Sequence, residues 1–181
     1  MRAMRALSVA LSFSAAIVMV GAEPARTQAS EEATVKIFVI WQGEGRTLQT
    51  GPHEATFVGS LSGPVYVDTE NGLIRSGLMT CPAILELGLD DGKERGRGRC
   101  TITAQDGAQI YADIECTGVY MIGCDGDLKL TGGTKKFEGI SGGGKVTIRP
   151  DSRQITPVPN GAAKEEGTGS LEAGELHYKL P

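Results

Sequence analysis

From residue 34 onward, apolar and polar side chains alternate one for one over most of the chain. Val35, Ile37, Val39 and Trp41 share one face of Thr34–Trp41. Met79, Cys81, Ala83, Leu85, Leu87 and Leu89 form a second apolar row, with Thr80, Pro82 and Glu86 between them. Cys100, Ile102 and Ala104 oppose Arg97, Arg99, Thr101 and Thr103. Ile110, Ala112, Ile114 and Cys116 oppose Tyr111, Asp113 and Glu115, and Cys124, Leu128 and Leu130 oppose Asp125, Asp127 and Lys129. Val146 and Ile148 continue the pattern. A period of two predicts strands with one buried face, and no helical period appears after the N-terminal segment. Ser62-Gly63, Asn71-Gly72, Asp91-Gly92, Asp106-Gly107, Asp125-Gly126 and Asn160-Gly161 supply the residue types that tight hairpin turns need. Consecutive half-buried strands with short loops predict an antiparallel meander, and closure into a barrel removes its exposed edges. From about Pro150 to Thr168 the pattern lapses into prolines and charges, which predicts a loop, and Ser170–Leu180 is then available as a closing strand.

The first 22 residues break the pattern. Arg2 and Arg5 precede a mostly apolar stretch from Ala6 to Val20, and Val20-Gly21-Ala22 presents small residues for cleavage. This is the layout of a signal peptide over residues 1–22, too short in its apolar core for a retained ~20-residue membrane span. Residues 23–33 read as a polar leader, and residues 34–181 as one β-barrel domain. The expected compartment is periplasmic or secreted. A length of 181 residues fits a single domain. Loss of Arg2 and Arg5 takes the formal net charge from -4 to -6, which disfavours nucleic acid and anionic lipid as partners.

Export changes the meaning of the cysteines. Four of them, Cys81, Cys100, Cys116 and Cys124, read as two disulfides in an oxidising compartment. All four fall on the apolar face, so they are core staples rather than reactive thiols. A three-residue loop at Gln105-Asp106-Gly107 sets Arg99 opposite Asp113 and Arg97 opposite Glu115, each pairing worth ~0.2–1 kcal/mol. That register also sets Cys116 opposite Gly96, which leaves it about 13 Å of strand rise from Cys100, beyond bridging distance. A two-residue loop at Asp91-Gly92 puts Cys81 diagonal to Cys100, and a bulge would bring them level. Cys116 and Cys124 flank one short reversal, Thr117–Gly123. Of the three possible pairings, Cys81–Cys100 with Cys116–Cys124 is preferred.

Other chemistry is sparse. Gly139 to Val146 nearly spells a phosphate-binding loop, but Val146 replaces the magnesium hydroxyl, and Lys145–Pro150 alternates as a strand instead of opening a helix. His53 and His177 sit in unrelated contexts and read as surface residues. Asp90-Asp91 reads as a turn, and Asp125 and Asp127 point outward with too few neighbours for calcium. Trp41, Tyr66, Tyr111 and Tyr120 are the aromatics available to flank a pocket. No residue is assigned a catalytic, cofactor-binding or metal-binding role, and no cofactor is expected.

The run Gly132-Gly133-Thr134, Phe137, Gly139-Ile140, Gly142 and Gly144, late in the meander, resembles the late-strand motif of the allene oxide cyclase and dirigent barrel superfamily. Phe57-x-Gly59-x-Leu61-x-Gly63, Cys81-Pro82, Gly98-Arg99-Cys100 and Gly123-Cys124-x-Gly126 resemble elements of small exported bacterial proteins. Together the resemblance spans roughly residues 54–180. It implies a calycin-like barrel of about eight antiparallel strands with an apolar lumen, and it implies no activity. No stretch matches a cyclase's catalytic motif. The expected function is therefore a non-enzymatic exported barrel that binds a small apolar ligand or an envelope protein, without membrane insertion after signal removal. The alternative is a cyclase- or isomerase-like enzyme, which requires an acid or tyrosine inside the lumen.

Overall fold

The alternating segments form strands, and the strands close on themselves. The structure is a computed structural model that describes residues 30–181. The expected signal segment, residues 1–22, and residues 23–29 of the expected leader lie outside the described residues. β1 (Glu31–Gly51), β2 (Glu54–Thr69), β3 (Gly72–Gly88), β4 (Lys93–Ala104), β5 (Gln109–Val119), β6 (Gly123–Gly133), β7 (Ser141–Val158) and β8 (Ala162–Leu180) pair antiparallel in chain order. β8 returns to β1, from Glu31 opposite Leu180 to Leu48 opposite Ala162, and completes an eight-stranded barrel. The core is the set of inward alternating positions: Ile37, Val39, Val65, Met79, Ile114, Leu128, Val146 and Leu171 are all buried. Removal of such side chains from water, at about 25 cal/mol per Å², drives closure.

The β4–β5 register is the predicted one, with Gly96 opposite Cys116, Arg97 opposite Glu115 and Arg99 opposite Asp113. Arg99 lies 3.8 Å from Asp113, but the Arg97 guanidinium reaches across the other way to Glu86, at 3.0 Å. The disulfides are Cys81–Cys100 and Cys116–Cys124. The route to the first differs from expectation. The β3–β4 loop is four residues, Leu89–Gly92, not two. The Gly92 amide donates to the Gly88 carbonyl, and the Asp91 carboxylate accepts from the Lys93 amide. The longer loop moves β4 along β3 so that Cys81 and Cys100 stand level, with Cα atoms 4.1 Å apart, and no bulge is needed. It also takes Leu89 off the core row and into the turn, where it is exposed.

Three further expectations are corrected. Ser62-Gly63 and Asp125-Gly126 are not turns. Gly63 and Gly126 sit inside β2 and β6, where the neighbouring backbone comes so close that a side chain would overlap the Ile40 and Glu115 carbonyls. Glu31–Ala33 are not leader but the start of β1, paired with the end of β8. The stretch 150–168 is not a loop. β7 runs on to Val158, a 3-10 turn at Pro159–Gly161 reverses the chain, and β8 begins at Ala162. β6 pairs with β7 only as far as Ile148, so the rest of β7 has β8 alone as a partner. Pro150 and Pro157 are tolerated there because an edge strand does not need every N–H.

Candidate functional site

The hairpin that β7 and β8 form beyond β6 builds one end of the barrel, together with the β3–β4 turn and the β5–β6 turn, Tyr120–Ile122. At this end several inward positions are polar, beside the apolar Ala55 and Leu87. β4 alternates Glu94, Gly96, Gly98 and Cys100 toward the lumen, and Glu94 is buried. β8 alternates Glu165, Gly167, Gly169 and Leu171 inward, and Glu165 is buried. On β7 a register shift between Pro150 and Ser152 turns Arg153 inward, opposite Gly167.

Glu165 is the hub. One carboxylate oxygen accepts from the Thr47 hydroxyl and from the Tyr120 hydroxyl, the latter at 2.9 Å. Its other oxygen lies 3.6 Å from Arg153 Nη1, close enough for attraction but too long for a hydrogen bond. The Arg153 guanidinium stacks over the Tyr120 ring, 4.6 Å from its centroid. Burial raises the Glu94 carboxyl above its ordinary value, Arg153 opposes that rise and the negative Glu165 adds to it. Burial, helped by Glu165, also raises the Tyr120 hydroxyl.

Beneath this cluster lies a cavity of about 70 Å³. Trp41, Phe57, Leu85, Ile114 and both disulfides line it, and Glu94 and Arg153 border it on the polar side. Glycines make the room and shape the walls. Gly169 lies against the Trp41 ring, which a methyl group at that position would overlap. Two buried donors, Trp41 Nε1 and Arg153 Nη1, have no hydrogen-bond partner among the described residues.

The residues singled out in the sequence distribute as follows. The four cysteines are buried and disulfide-bonded, as core staples. His53 is exposed in the β1–β2 turn, paired with Asp90 at 2.9 Å, and His177 is exposed on β8 beside Thr34. Asp125 and Asp127 point outward to Arg149 and Lys145. The glycine run at 142–144 packs against backbone carbonyls inside β7 and opens no helix. Among the described residues, no group of three metal-ligating side chains occurs. Of the four aromatics, Trp41 and Tyr120 reach the site, whereas Tyr111 is on the outer face. The expectation of an apolar lumen holds for the middle of the barrel and fails at this end, where Glu94 and Glu165 are buried. Glu94 was legible, since it lies two and four residues from Gly96 and Gly98 on the Cys100 face. Glu165 and Arg153 were hidden by the loop assignment, and the bulge that turns Arg153 inward leaves no periodic signal.

No protein-family model and no curated protein matches the chain. Among solved structures, the chain is similar to the pterocarpan synthase dirigent protein, with a TM-score of 0.38 and 14% identity over 85% of this chain and 98% of that one. At that degree of likeness neither family nor activity is assigned, and the barrel stands on its own strand ladders.

Proposed function

We propose that this protein is an exported binding barrel that takes a small, mostly apolar molecule into the end of its lumen closed by the β7–β8 hairpin. The carrying observation is the cavity of about 70 Å³, apolar on its walls and polar at one border. A concave apolar site with a few convergent polar groups is the usual form of a small-molecule site. Two core disulfides support maturation in an oxidising compartment, in keeping with the N-terminal signal pattern. Native mass spectrometry of protein taken from its host's envelope tests for a retained small molecule. Ala83→Leu, which fills the cavity from β3, should abolish retention while leaving the thermal midpoint within a few degrees. Retention that persists in that variant would place the ligand elsewhere and refute the proposal.

A second reading has one observation in its favour. Glu94 and Tyr120 are an acid and a tyrosine at the lumen, which the enzyme alternative required. A carboxyl raised by burial is available as a general acid. An acid-catalysed isomerisation would lose its rate in Glu94→Gln, whereas simple binding would survive that change.

A further inference from the structure

Two side-chain nitrogens at this site lack a partner. Trp41 Nε1 and Arg153 Nη1 are buried without hydrogen-bond partners among the described residues, and both residues line the same cavity. An indole and a guanidinium can only donate. The Glu165 carboxylate does not serve them: it takes two hydroxyls on one oxygen, and its other oxygen is 3.6 Å from Arg153. Buried donors are rarely left unpaired in folded proteins, so the lumen calls for an acceptor that the chain does not supply.

We infer that the ligand of this cavity is a neutral molecule that presents a carbonyl oxygen to the Trp41 indole and the Arg153 guanidinium, with its apolar part against Phe57, Leu85 and the two disulfides. The inference rests on the lumen being a binding site, and it names the class of occupant. Charge excludes the alternatives. Glu94 borders the cavity and Glu165 lies 3.6 Å from the bordering Arg153, so a carboxylate ligand would meet two acids against one arginine. An ammonium ligand could pair with the acids but would meet the Arg153 charge and leave both buried donors unpaired. A hydrocarbon would fill the space and leave both donors unpaired.

The chain contains one tryptophan, so a single indole N–H resonance reports on Trp41. The experiment titrates the full mature protein with 2-pentanone, n-pentane and butyrate while recording that resonance by ¹⁵N–¹H NMR. The ketone should saturate and move the indole proton downfield, and it should bind about tenfold more tightly than the alkane, the worth of one hydrogen bond. Butyrate should be the weakest. Trp41→Phe should narrow the ketone's advantage over the alkane, with Arg153 remaining as the one donor and the methyl resonances as readout. Equal binding of ketone and alkane would overturn the inference and leave the binding-barrel reading intact. Tighter binding of butyrate would also overturn it. If the ketone leaves the indole resonance in place and a cross-peak to slowly exchanging water appears there instead, buried water supplies the acceptor and the inference fails. No response to any of the three probes would overturn both the inference and the reading beneath it.

Discussion

Replacing Arg153 with Met keeps most of the side chain's volume and removes its charge. In the native barrel the guanidinium lies 3.6 Å from Glu165, and both side chains are largely shielded from water. At that separation, an effective dielectric of about 20 gives an attraction of roughly 4–5 kcal/mol. Desolvation of the two groups offsets much of this in the intact pair. The loss of one partner is a different matter, because Glu165 stays buried with no countercharge and Glu94 loses the one group that opposes its rise. Breaking a buried pair in this way costs about 3–5 kcal/mol. Urea unfolding at pH 7, followed by Trp41 fluorescence, should show the lower midpoint with an unchanged slope. The double variant R153M/E165Q should recover most of the loss, since it removes the uncompensated Glu165 charge and its repulsion of Glu94. The effect should also depend on pH. The folded-state value of Glu94 is raised above its ordinary 4.5, so its contribution is fully favourable below 4.5 and is lost as pH rises through the folded value. Without Arg153 that value rises further, so the deficit of R153M should shrink on acidification toward 4.5. A loss under 1 kcal/mol at pH 7 would mean that the pair is effectively solvated and does not organise this end of the barrel.

The same sign applies to Glu94→Gln, which should stabilise the protein at pH 7–8 by an amount that fades as pH falls toward 4.5; midpoints of both proteins across that range check it, and a gain that grows on acidification would contradict it. The disulfides close loops with sequence separations of 19 and 8, so C81A/C100A should lower stability by about 3 kcal/mol and C116A/C124A by about 2.5 kcal/mol, read from urea midpoints. Native protein from an oxidising compartment should show no titratable thiol before reduction. Gly126→Ala should destabilise by about 1–3 kcal/mol because the new methyl overlaps the Glu115 carbonyl, whereas Gly174→Ala, with open space around it, should stay within about 0.5 kcal/mol.

The legible part of this fold is the part governed by local alternation. Strands β1, β3 to β6 and the first half of β7 follow from side chains that must point alternately to core and solvent, a constraint that acts residue by residue and survives in one sequence, whereas β2 was obscured by the turn expected at Ser62-Gly63. The β4–β5 register followed from a three-residue turn, and with it the exclusion of a Cys100–Cys116 bridge. The β3–β4 loop was misjudged because Asp91-Gly92 can close a two-residue hairpin as readily as it ends a four-residue one. Only the hydrogen bonds of Gly92 and Asp91 distinguish them.

The polar end of the lumen belongs to the tertiary structure. Arg153, Glu165, Thr47, Tyr120 and Glu94 come from β7, β8, β1, the β5–β6 turn and β4, and no spacing in the chain announces their meeting. Pro150, Pro157 and the charges around Lys164 look like a loop because prolines and charges are costly inside a doubly paired, half-buried strand. They are tolerated here because β6 ends early and leaves β7 with a free edge. Alternation along one strand is decided by that strand alone, whereas the length to which its neighbour extends, and the side chains that closure brings across the lumen, are decided by the ring as a whole.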